Sequence, residues 1–256
     1  MHNSTLNIFD GKICSNECIN NSEIFLNKDS INNSPNTYQL FQSFCGVGIC
    51  ADLISKVHLY KGEISNNISR NNAKLNLIFP VEGTKTNLNE VNICIQGSGI
   101  YGNNCEIEIL DGAIIQGNSC QLNTIINIEK NCNVAGSLNC SINGGQVFIS
   151  SSKVKFIGGI IRNTNNIKKI ASNIEPDENG KIKDISNLTL GGGIHMLNCN
   201  NIDINNLKII ECSSGHRGAI YISKSTGKYQ IQSYQIILHN YMVEHYILLL
   251  IIVLYK

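Results

Sequence analysis

The chain has 256 residues, of which 15% are charged and 6% aromatic, and its formal net charge is +1 at pH 7. That length supports one elongated domain with a sizeable core. The charge balance excludes a basic field for phosphates and the scarce aromatic residues leave little to stack on bases, so nucleic acid is not an expected partner.

Ile and Asn dominate the composition, whereas Pro and Trp are scarce or absent. Ile favours strands, and Asn tolerates the left-handed backbone of tight corners, so the composition suits short strands joined by corners. Met1 to Lys28 is polar and lacks the basic start and apolar run of a secretory signal. Residues 1–60 carry no evident repeat and are expected to form an irregular capping segment. Within it, Tyr38 to Val57 is mildly apolar and suited to closing the end of an array of strands.

Four cysteines of this segment, Cys14, Cys18, Cys45 and Cys50, form C-x3-C and C-x4-C pairs. Those spacings are open to a zinc clip or to two disulfides, but they depart from the stronger C-x2-C form, and no metal or cofactor is assigned to them. The chain has 11 cysteines, an odd number that cannot all pair internally. Cys94, Cys105, Cys120, Cys132 and Cys140 sit in or beside strand-like runs and are read as buried thiols that fill a core.

Residues 61–228 carry a repeat in which glycine feeds a strand: Gly99-Ile100, Gly112-Ala113-Ile114, Gly159-Ile160, Gly193-Ile194 and Gly218-Ala219-Ile220. From Ile100 through Ile114, Ile160 and Ile194 to Ile220, the successive differences in residue number are 14, 46, 34 and 26. A step of 26 has the scale of one turn of stacked coils, the 46 reads as two turns of 23, and the 34 reads as one turn with an insertion of 8 in the hydrophilic stretch Lys168 to Asp184. Ile194 and Met196 flank His195 as Ile220 and Ile222 flank Tyr221, which is strand alternation. It predicts Ile194 against Ile220 and Met196 against Ile222 in the core, with His195 and Tyr221 on the outer surface. Ile202 and Ile204 alternate before a corner at Asn205-Asn206, and Leu207 and Ile209 after it, so one turn is expected to hold three short strands.

His195-x3-Cys199 and Cys212-x3-His216 have the symmetry of a metal site. Their members fall on different parts of one coil, and no metal is assigned. Cleavage of a glycosidic bond needs clustered carboxylates. Asp203, His216 and Arg217 are isolated pieces, there is no Asp-Asp pair, and Asn163-Thr164-Asn165 lacks the carboxylate, so no catalytic residue is assigned. Residues 229–256 form an apolar tail whose run Ile247 to Tyr255 falls short of the roughly 20 residues of a spanning helix. A final strand or plug, a membrane anchor and the end of a broken reading frame all remain open for it.

The run from Leu207 to Ile222 (LKIIECSSGHRGAIYI) resembles the repeat of polymorphic outer membrane protein-like chains, marked by a Gly-Gly-Ala-Ile element. More broadly, residues 90–225 are similar to the right-handed parallel β-helix of the pectin-lyase superfamily. Arg217 replaces the first glycine of the element, and Ile209 to Cys212 stands where the family's Phe-x-x-Asn would be. The resemblance implies an all-β fold, a right-handed parallel β-helix. It implies a non-catalytic structural or adhesin-like role, secreted or at a cell surface, with carbohydrate or protein as partner. Its alternative is a polysaccharide-active enzyme of the same fold, like pectin lyase or polygalacturonase.

Overall fold

Alternation governs the local structure throughout. Ile107 and Ile109 are buried while Glu106 and Glu108 point outward, the two-residue period of a strand. Several corners fall on Asn, which accepts a left-handed backbone: Asn66, Asn104, Asn163, Asn198 and Asn206 all have φ between 50° and 58°. This use of Asn accounts structurally for part of its abundance.

The computed structural model describes residues 2–26, 38–77, 86–129, 132–175, 183–214 and 218–235. Among them all regular structure is strand. The first tier runs β1 (Thr5–Ile8), β2 (Lys12–Cys14), β3 (Glu17–Leu26), β4 (Tyr38–Cys45) and β5 (Ile49–Asp52). The second runs β6 (Lys56–Leu59), β7 (Gly62–Ser65), β8 (Ile68–Leu77), β9 (Thr86–Gln96) and β10 (Ile100–Asn103). The third runs β11 (Glu106–Leu110), β12 (Ala113–Gln116), β13 (Ser119–Ile128), β14 (Cys132–Asn143) and β15 (Val147–Ser150). The fourth runs β16 (Lys153–Ile157), β17 (Ile160–Arg162), β18 (Ile167–Ile174), β19 (Ile185–Leu190) and β20 (Ile194–Leu197). β21 (Ile202–Ile210), β22 (Ile220–Ser223) and β23 (Gly227–Gln235) follow.

Through the first three tiers each strand pairs in parallel with the strand five places on, and the ladders build four stacked sheets. Sheet I joins the ladders β1-β6-β11-β16 and β2-β7-β12-β17 through β21, with β23 added on β21. Sheet II is β5-β10-β15-β20-β22, sheet III is β3-β8-β13-β18, and sheet IV is β4-β9-β14-β19. An all-β chain of parallel strands in stacked sheets is compatible with a parallel β-helix or solenoid.

Each five-strand tier encloses two cores. Sheets I and II surround one, which includes Leu59, Ile107, Val147, Phe156, Ile194 and Met196. Sheets III and IV surround the other, which includes Leu75, Ile93, Ile126 and Ile142. Each fully buried Ile or Leu contributes on the order of 2 kcal/mol.

The register corrects the expected period. Ile49, Ile100, Val147, Ile194 and Ile220 face one another in succession, so the step between facing positions is nearly constant until it shrinks by almost half at the last pair. Ile114 faces Ile160 directly, so the gap of 46 is one tier and not two of 23. A full tier holds five strands rather than three. The step of 26, from Ile194 to Ile220, belongs to a shortened tier. There β21 runs from the β16 ladder onto the β17 ladder, bending at Asn206, and β22 follows with no described strand stacked on β18 or β19.

The flanks are corrected too. Most of the segment expected to be irregular forms β1 to β6, in register with the strands that follow. Lys168 to Ile174, expected to bulge, lies within β18. The array also continues past residue 229, because β23 pairs with β21. Residues 236–256, and with them the run Ile247 to Tyr255, lie outside the described residues.

Candidate functional site

The two cores meet at a waist, and the glycine corners form one side of it. Gly144 and Gly191 both have φ +59°, and a β-carbon on either would run into the carbonyl of Val147 or Ile194. Only glycine fits a left-handed corner that approaches backbone this closely. The other side is a column of buried amides. Asn67 Oδ1 accepts from the Asn16 backbone N–H at 3.1 Å and from Asn16 Nδ2 at 2.9 Å. Asn67 Nδ2 in turn donates to Asn118 Oδ1 at 2.8 Å and to the Ile13 carbonyl at 3.1 Å. A residue from another segment of the third tier ends the column: Gln146 Oε1 accepts from Asn118 Nδ2 at 2.5 Å, and Gln146 Nε2 donates to the Arg162 and Asn163 carbonyls of the fourth.

Phe44 and Ile49 face the two cores, so Cys45 and Cys50 face outward, yet their sulfurs lie 3.9 Å apart. The outer faces of sheets II and IV therefore close on each other in a crevice. Along it the outward residues of sheet II form one row, Cys50, Tyr101, Phe148, His195 and Tyr221, each facing the next. Tyr101 and Phe148 stack at 5.7 Å, Phe148 meets His195 edge-on at 5.1 Å, and His195 meets Tyr221 at 4.8 Å.

This crevice changes the reading of His195. Its strand parity and its partner Tyr221 are as expected, and Ile194 and Met196 are fully buried against Ile220 and Ile222. His195 is nevertheless only 4% exposed, because the outward face here is itself covered. Burial also pushes the Tyr101 hydroxyl up to about 12, reinforced by Cys45, Asp52, Cys50 and Cys94 nearby.

Elsewhere the outer faces carry ladders that pair one tier with the next. On sheet I, Glu108 accepts from His58 Nδ1 at 2.8 Å and from Lys155 Nζ, which together hold its carboxyl below the usual range. Glu63 bonds Lys12 at 2.9 Å and Gln116 at 2.7 Å. Hydrogen bonds from Ser65, Lys12 and Gln116 lower its carboxyl to about 2. On sheet III, Asn123 donates to Asn72 and Asn72 to Asn21, each at 2.8 Å. On sheet IV, Asn139 donates to Asn92 at 2.7 Å.

The symmetric His-Cys motif separates into different columns. Cys199 is buried, its backbone N–H donating to Ser225 Oγ at 2.9 Å, and burial raises its thiol. Cys212 is buried too, its thiol donating to the Ile161 carbonyl at 3.7 Å. His216 and Arg217 lie outside the described residues. Among the described residues no group of three or more His, Cys, Asp or Glu is arranged to hold a metal.

Cys105, Cys120 and Cys140 are buried, with Cys120 pushed up to about 12 and Cys140 to about 11 by burial, as inert filler thiols should be. Cys94 departs from that group, standing partly exposed on the outer face of sheet IV. The side chain of Cys132 lies outside the described residues. Asp203 faces Lys155 on one side and Lys228 on the other. The C-x4-C spacing already sets Cys45 beside Cys50, but the aromatic row is not visible from spacing, although Gly46-x-Gly48-Ile49 anticipates Gly97-x-Gly99-Ile100 and would have set it in register.

No family model, curated protein or solved structure matches this chain.

Proposed function

We propose that the chain is a right-handed parallel β-helix of the pectin-lyase-like kind that acts as a non-catalytic structural or surface-interaction module. The observation that carries this reading is the engagement of the outward polar groups by one another. Glu63 is held low by Ser65 of its own strand and by Lys12 and Gln116 of neighbouring tiers, Glu108 by Lys155 and His58 of neighbouring tiers, and the Asn ladders hydrogen-bond along the stack. A glycosidic general acid needs a carboxyl raised by its surroundings and a second carboxylate facing it. Asp203 faces two lysines instead.

The Gly-Gly-Ala-Ile resemblance supports an adhesin-like surface role, with carbohydrate or protein as partner. The test is incubation of the purified chain with pectin and polygalacturonate, with and without calcium, followed by assay for reducing ends and unsaturated products. The reading predicts neither. Turnover that Asp203→Asn abolishes would replace it with the polysaccharide-active alternative.

A further inference from the structure

We propose that Cys45 and Cys50 are a reversible disulfide site, oxidised by a low-molecular-weight disulfide such as oxidised glutathione. Their sulfurs already touch at 3.9 Å across a corner that runs from Gly46 to Gly48. A disulfide of about 2.05 Å needs roughly 2 Å of closure, which rotation of the two side chains supplies. The backbone beneath them is tied to the next tier. Gly46 N–H is held by the Gln96 carbonyl at 3.1 Å, Gly48 by Ser98 at 3.1 Å and Ile49 by Gly99 at 2.9 Å.

Access separates this pair from the filler thiols. Both residues are part-exposed in the first tier, whereas Cys105, Cys120, Cys140, Cys199 and Cys212 are buried. The two sulfurs are also unlike. The Cys45 contact lowers the Cys50 thiol to about 7, while Cys45 is pushed up by the same contact and by burial. Thiolate is the attacking form, so either sulfur of the pair can attack while the other resolves, and with Cys50 attacking the exchange runs in two steps.

In the first step the Cys50 thiolate attacks a sulfur of oxidised glutathione. The Cys50–glutathione S–S bond forms, the glutathione S–S bond breaks, and one glutathione leaves as thiolate. Cys45 then loses its proton to solvent and attacks the Cys50 sulfur, forming Cys45–Cys50 and releasing the second glutathione, which takes up a proton. Two protein thiols are oxidised and one glutathione disulfide is reduced to two thiols. Excess reduced glutathione reverses both steps.

The experiment equilibrates the full chain with oxidised glutathione, blocks remaining thiols after acid quench and unfolding, and maps linkages by peptide mass spectrometry. A Cys45–Cys50 linkage, lost in reduced glutathione, is expected. In Cys45→Ser and in Cys50→Ser the remaining cysteine of the pair should stop at the mixed disulfide with glutathione, with no internal linkage. Strand-rich circular dichroism of both variants checks that they fold. Recovery of Cys45 and Cys50 as blocked thiols, linkage of either to Cys94 instead, or stoichiometric zinc retained by the reduced pair would each overturn the proposal.

Discussion

Gly99 packs directly against Asn118: a β-carbon on Gly99 would fall 2.9 Å from Asn118 Nδ2 and 2.7 Å from the Gln146 carbonyl. The same relation recurs one tier earlier, where a β-carbon on Gly48 would fall 3.2 Å from Asn67 Nδ2. Glycine corner and amide column are thus the two halves of one waist. Neither can enlarge without displacing the other.

Gly99→Ala should therefore destabilise the chain by roughly 2 kcal/mol, the usual scale of overpacking against atoms that cannot yield. Urea unfolding followed by circular dichroism measures it. A midpoint unchanged from the parent would show that the waist is looser than described.

Asn67→Ala should cost more, on the order of 3 kcal/mol, because it removes a fully buried amide and strips partners from buried Asn118 and from Asn16 and Ile13 at once. Asn16 Nδ2 loses its acceptor, and the Asn118 and Ile13 oxygens lose a donor. Thermal unfolding of the variant beside Asn72→Ala, taken from the more exposed outer ladder, checks the contrast.

Stability should fall on acidification. The folded Glu63 carboxyl lies near 2, below its ordinary 4.5, and Glu108 is also lowered. A depressed folded pKa gives stability that is complete above the ordinary value and drains away as pH drops through the folded one. Urea midpoints should therefore decline from about pH 5 towards pH 2. Glu63→Gln should flatten part of that decline, and an identical slope in the variant would contradict the assignment.

Lys168 should respond in the opposite range. It occupies an inward position of β18, its Nζ is buried, and desolvation lowers it from 10.5 to about 8. The unfolded chain then binds more protons between those values, so this group makes stability rise with pH from about 8 to 10.5. A shift of that size corresponds to roughly 3 kcal/mol, of which about 1 survives the discount for solvent at a half-buried side chain. Lys168→Met should raise the unfolding midpoint at pH 7 accordingly. A lowered midpoint would mean that the ammonium has a partner.

Strand parity is what the sequence reveals most directly. The alternation around Ile194 and Ile220 gives their pairing, the all-β class, and the buried thiols of Cys105, Cys120 and Cys140. The tier length is hidden by the shortened tier. Only there do two glycine corners follow each other without intervening sheet III and IV strands, so the step from Ile194 to Ile220 passes for the period of the whole. Gln146, standing where other tiers have Gly48, Gly99 or Gly193, hides the third corner while completing the amide column. The crevice is less legible still. Parity places Cys50, Tyr101, Phe148 and His195 outside one core, but it does not tell that a second core folds back over them.

The most direct measurement of the tier register is zero-length carbodiimide coupling of neighbouring lysines and carboxylates, mapped by peptide mass spectrometry. The ion pairs Lys12–Glu63 at 2.9 Å, Lys74–Glu23 at 2.6 Å, Lys56–Glu106 at 3.4 Å and Lys155–Glu108 all join adjacent tiers. Amide links are expected between these partners, each pair separated in sequence by one full tier. Links concentrated instead between lysines and carboxylates separated by about half that distance would contradict five-strand tiers, and with them the self-paired outer ladders on which the non-catalytic reading stands.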